Sequence, residues 1–70
     1  MKPSAKKKFS LTARETDVAR QLQIGAPRKI MAEHLSISVF TVDKHVRRIR
    51  KKIDAPSTRE AVAVLGHYSF

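Results

Sequence analysis

Apolar residues fall along the chain in short helical stripes separated by polar turns, and the most regular stripe lies between Leu35 and Ile53. There Val42, Val46, Ile49 and Ile53 recur at i, i+4, i+7 and i+11, one face of a helix with about 3.6 residues per turn. The spacing predicts a helix from about Val39 to Ile53, capped by Ser38 and stopped by Asp54-Ala55-Pro56, because a proline forces its predecessor out of the helical region. Upstream, Thr12 and Glu15 have the spacing of a capping box, in which hydroxyl and carboxylate each satisfy an orphan backbone N–H. Val18, Ala19 and Leu22 then form the narrow apolar face of a helix over residues 13–24, with Leu11 as a staple and Gly25 as its left-handed terminator. Pro27 pre-sets the first turn of a shorter helix whose Ile30, Met31 and Leu35 are expected to face inward. Ser36 must make the next turn, a task easier for glycine, and Ile37 plugs the corner. A last helix opens with Ser57 and Glu60 at capping-box spacing, runs through Ala61, Val62, Val64 and Leu65, and ends at Gly66.

The expected fold is therefore all-α, with four helices, no strand-length alternation and no internal repeat. The second and third helices, joined by a tight turn, make a helix-turn-helix unit. Residues 10–66 form the domain, 1–9 a flexible basic arm carrying Lys2, Lys6, Lys7 and Lys8, and 67–70 a C-terminal tail with Tyr68 and Phe70.

Charge gives the pattern a direction. The 70 residues hold 15 Lys+Arg against 6 Asp+Glu, a net charge of +9, which calls for a polyanionic partner, nucleic acid foremost. Lys44, Arg47 and Lys51 project opposite the Val42–Ile53 stripe with Arg48 beside them, and six positive residues lie between Lys44 and Lys52 with no acid among them. A merely solvated helix face tends to mix signs. An anionic membrane is the weaker alternative, because the apolar residues are spread over several short segments. No apolar run is long enough to span a bilayer or to follow the basic N-terminus as a signal peptide, so a cytoplasmic, nucleoid-associated location is expected.

Other chemistry finds little purchase. With no cysteine, neither a disulfide nor a thiolate zinc site holds the fold. His34, His45 and His67 lack metal-site spacing. No nucleophile, base and orienting acid are placed together, and there is no glycine-rich phosphate loop. The reading is a non-enzyme without metal, cofactor or small-molecule ligand.

These residues resemble a family. Leu11-Thr12-x-Arg14-Glu15-x-Asp17-Val18, Gly25, Lys29, Ala32, Leu35-x-Ile37-Ser38, Thr41-Val42, His45, Ile49, Lys52 and Glu60-Ala61-Val62 look like the DNA-binding domain of LuxR/NarL-type transcription regulators, without insertion over residues 11–65. The resemblance implies a four-helix domain whose third helix reads the major groove and whose fourth pairs two subunits. By position it assigns base contacts to Asp43, Lys44 and Arg47, and phosphate contacts to Arg28, Lys29, Ser38 and Thr41. Arg48 and Lys51 join the phosphate set from the basic ridge, and Val62 and Leu65 fall at the dimer contact. The partners implied are double-stranded DNA and a second copy of the chain, with RNA polymerase or another regulator as further candidates.

The departures are informative. The family usually carries Lys or Arg where this chain has Asp43, arginine where it has Thr58, an acid where it has Ile30, and apolar residues where it has Gln21 and Gln23. Two accounts of Asp43 stand open: it accepts a hydrogen bond from cytosine N4, or it orients Arg47 four residues on. No receiver or ligand-binding domain precedes the motif, so a standalone regulator is expected. The alternative is a protein-binding antagonist that has lost specific DNA recognition and sequesters another regulator through its fourth helix and Ile30. A third reading is a domain like the promoter-contacting part of sigma factors.

Overall fold

The computed structural model describes residues 11–67, so the basic arm and the tail from Tyr68 onward lie outside the described residues. The chain forms helices α1 (Ala13–Gln23), α2 (Arg28–Leu35), α3 (Val39–Lys52) and α4 (Thr58–Leu65), and no strand among the described residues. Helix α3 packs against each of the other three, and α1 also meets α4. The core is Val18, Ala19 and Leu22 of α1, Met31 and Ala32 of α2, Val42, Val46 and Ile49 of α3, Ala61 and Leu65 of α4, with Ile53 and Ala55 from the α3–α4 turn. The stripe that periodicity assigns to α3 is thus the central seam of the molecule.

The helix starts follow local chemistry. Thr12 caps α1 in a complete capping box: its hydroxyl accepts from the Glu15 N–H at 3.1 Å, and Glu15 Oε1 accepts from the Thr12 N–H at 3.0 Å. Ser38 and Ser57 cap α3 and α4, accepting from the N–H groups of Thr41 and Glu60 at 3.0 and 3.1 Å. At α4 only the hydroxyl half of the predicted box forms, and Glu60 lies exposed. Pro27 serves as N-cap of α2 and not as its first residue, with extended backbone (φ −65°, ψ 154°) and no side-chain cap.

The first three helices end alike. Gly25, Ser36 and Asp54 take left-handed backbone with φ of 78°, 56° and 58°. In each case the next residue donates its N–H five residues back: Ala26 to Gln21 at 3.1 Å, Ile37 to Ala32 at 3.0 Å and Ala55 to Arg50 at 2.8 Å. This is the Schellman arrangement, which satisfies terminal carbonyls and turns the chain back inward. Ala26, Ile37 and Ala55 accordingly pack on or in the core. Gly66, by contrast, ends α4 with helical backbone at φ −61°.

Two long-range contacts fasten the helices. Lys52 Nζ donates to Glu15 Oε1 at 2.7 Å, joining the last residue of α3 to the first turn of α1. Glu15 is only 2% exposed. Burial works against its charge, but the hydrogen bonds from Lys52 and from the Thr12 backbone outweigh that and hold its carboxyl below the usual glutamate range. Gln23 donates to the Leu65 carbonyl, tying the end of α1 to the end of α4. Gln21 Oε1 lies 3.4 Å from His34 Nδ1, so both glutamines that depart from the family pattern sit in side-chain contacts between elements.

Candidate nucleic-acid interface

Helix α3 presents its outer face because its inner face is fully occupied. With Val42, Val46 and Ile49 at most 2% exposed, the helix cannot rotate about its axis without uncovering the seam. The rotation therefore puts Lys44, Arg47, Arg48 and Lys51 in solvent. Two of the six cations on this helix face elsewhere. Arg50 donates to the carbonyls of Ala55 and Pro56, stabilising the turn after α3, and Lys52 reaches Glu15. A shallow open depression of about 470 Å³ lies beside the ridge, lined by Arg47, Arg50, Lys51 and Ala55.

At the other end of α3 the Ser38 and Thr41 hydroxyls lie 3.0 Å apart. Two of the six residues expected to contact phosphate thus converge on the helix N-terminus, where the first backbone N–H groups and the helix dipole favour an anion. Lys29 stands exposed in the first turn of α2.

Arg28 and Asp43 are brought together in a way that neither sequence account anticipates. Arg28 Nε donates to Asp43 Oδ1 at 2.7 Å, and the same guanidinium reaches Thr58 Oγ1 at 3.3 Å. Asp43 is paired across the helix-turn-helix with α2, and not along α3 with Arg47. Two family positions that usually carry a cation, 43 and 58, here carry acceptors, and both receive the guanidinium of Arg28. The carboxylate on the ridge is thereby neutralised in place. Arg28, assigned to phosphate by resemblance, is the residue that does it.

Leu65 corrects the expected pairing surface. It is 0% exposed and belongs to the domain's own core, because α4 must bury the Ala61–Leu65 edge against α1 and α3. Val62 stays half-buried beside it, with Arg59 and Ala63 exposed. Ile30, read as inward-facing, is 37% exposed, and Leu35 is half-buried. His45 turns its ring toward the protein, and its Nδ1 is buried without a hydrogen-bond partner.

Sequence reasoning passed over Phe40. Its ring is 70% exposed at the start of α3, with Lys44 Nζ 5.5 Å from the ring centroid. The signal was available, since Phe40, Lys44, Arg47 and Lys51 stand at i, i+4, i+7 and i+11.

A helix-turn-helix domain with a cationic second helix held outward by a packed seam is the class that fold and surface define together. A family model described as "bacterial regulatory proteins, luxR family" matches residues 9–65. The chain belongs to the luxR family and is, in kind, a DNA-binding transcription regulator. No curated protein and no solved structure gives a significant match. Among the described residues no helix is long and apolar enough to cross a membrane.

Proposed function

We propose that the chain is a sequence-specific regulator that binds double-stranded DNA as a homodimer, with α3 in the major groove. The observation that carries this reading is the exposed row of Lys44, Arg47 and Lys51 on the face of α3 opposite the buried stripe. Lys44 and Arg47 read base edges, Arg47 having the fork suited to guanine O6 and N7. Lys29, Ser38, Thr41, Arg48 and Lys51 hold phosphates. Arg28 balances the charge of the Asp43 carboxylate at the protein surface, so the ion pair as a whole does not repel the backbone. Two subunits meet through the Val62 side of α4, and a two-fold pair reads half-sites about 10 bp apart. Such a protein acts in a bacterial cytoplasm, on promoter DNA.

The antagonist reading loses support on two counts: Asp43, the acid that would spoil DNA recognition, is paired with Arg28, and the proposed docking helix α4 turns Leu65 inward. The test is Arg47→Ala, assayed on a duplex enriched from a random library. The expected result is a loss of about 1–3 kcal/mol concentrated at one base pair of each half-site. Equal weakening on every sequence would remove Arg47 from base reading.

A further inference from the structure

Phe40 is the one large aromatic side chain in solvent among the described residues: Leu11, Met31 and the other large apolar residues are buried or half-buried, apart from Ile24, Ile30 and Val39. Its place on α3 is specific. At about 100° per residue, Phe40, Lys44, Arg47 and Lys51 lie within about 60° of arc, opposite the seam of Val42, Val46 and Ile49. Phe40 is therefore the N-terminal member of the basic ridge, and not part of a separate apolar face. Val39, next to it, points well off this line. In a helix-turn-helix the N-terminal residues of the second helix are those that reach base edges. An exposed phenyl ring at that position has no hydrogen bond to offer. The single apolar group that a base pair shows in the major groove is the thymine methyl.

We propose that Phe40 is a specificity-determining residue that packs on a thymine methyl in each half-site, with Lys44 held across its ring. This rests on α3 being the major-groove reader. The ring fits the role physically. The 5.5 Å contact with Lys44 Nζ steadies the ring and leaves its outer edge in solvent. The ridge cations carry α3 into the groove, where the ring exchanges water for a methyl group. Lys44 then serves twice, as a base reader and as the cation that fixes the ring. A protein-docking role for Phe40 would give the ring no reason to stand in line with three cations.

The experiment uses the full 70-residue chain. A duplex is enriched from a random library, and each thymine in it is replaced in turn by deoxyuridine, which removes one methyl and nothing else. For the wild type, one replacement per half-site is expected to weaken binding by about three- to fivefold, the value of one buried methyl. Phe40→Ala should weaken binding to the thymine duplex by at least that factor and be indifferent to the same replacement. Phe40→Leu should keep part of the methyl preference. The salt dependence should not change, since no phosphate contact is removed. Phe40 is 70% exposed, so these variants fold, and circular dichroism checks that they do. The proposal is overturned if methyl removal acts equally on wild type and Phe40→Ala at every thymine. It is also overturned if Phe40→Ala leaves DNA binding unchanged, which would assign the ring to a protein contact. If the library enriches no site at all, the reading of α3 as a sequence reader falls, and this proposal with it. An enriched site without methyl coupling sinks the Phe40 assignment alone.

Discussion

Removing Arg28 should weaken DNA binding through Asp43, and Coulomb's law sets the order of magnitude of the effect. In the wild type the two charges, 2.7 Å apart, cancel as seen from a phosphate. Arg28→Ala leaves a bare carboxylate on the ridge. For a separation of about 8 Å and an effective dielectric constant of about 20, Coulomb's law gives about 2 kcal/mol of repulsion. Screening over a Debye length of about 8 Å at physiological salt reduces this to roughly 0.8 kcal/mol. That corresponds to about a fourfold loss of affinity per subunit bound. The pair is open to solvent, with side chains 37% and 46% exposed, so breaking it costs at most about 1 kcal/mol of stability and the variant remains folded. The decisive measurement is fluorescence anisotropy on an enriched duplex across salt for Arg28→Ala, Asp43→Asn and the double variant. If Arg28 acts by neutralising Asp43, the double variant recovers both the wild-type affinity and the wild-type slope of log K against log salt. If Arg28 instead leaves Asp43 for a phosphate, the double variant keeps a slope shallower by about 0.9. That second result would refute charge neutralisation of Asp43 as the role of Arg28.

Two further outcomes concern the scaffold. Glu15→Gln should lower stability by about 1–2 kcal/mol, a charge-assisted hydrogen bond discounted because Lys52 is 34% exposed. Because the folded carboxyl of Glu15 titrates below its unfolded value, its contribution is present above the unfolded pKa and is lost as pH falls through the folded one. Urea unfolding should therefore show the gap between wild type and Glu15→Gln closing from pH 7 toward pH 3; a gap that widens would contradict the assignment. Ser36→Gly should raise stability by about 0.5–1 kcal/mol, since Ser36 sits at φ 56° where only glycine is unstrained. A thermal melt should show Tm several degrees higher, and an unchanged or lower Tm would mean that the serine hydroxyl compensates for the strain.

What the sequence made legible is what depends on neighbours along the chain. The Thr12, Ser38 and Ser57 caps, the left-handed Gly25 and Ser36, and the Val42–Ile49 seam each follow from residues within a turn or two of one another. The ridge of Lys44, Arg47, Arg48 and Lys51 follows from the seam, because fixing one face of a helix fixes the other. The pairings that periodicity cannot reach are Arg28 with Asp43, Glu15 with Lys52 and Gln23 with Leu65, separated by 15, 37 and 42 positions. Each forms only when the helices have docked. Leu65 was misplaced for a different reason: Ala61, Val62, Val64 and Leu65 make α4 apolar over most of its circumference, so spacing alone does not say which edge is buried. The departures Asp43 and Thr58 read singly as losses of positive charge, and their shared partner became visible only when α2, α3 and the start of α4 were assembled around Arg28.

The central claim is that α3 reads sequence in duplex DNA, and the most direct test is the affinity of the full chain for an enriched duplex and for a scrambled one, each measured across salt. The account expects both affinities to fall steeply as salt rises, through release of counterions from the phosphates. It also expects the enriched duplex to remain tighter by at least about 10³-fold at physiological salt. Equal affinity for the two duplexes at every salt concentration would contradict it.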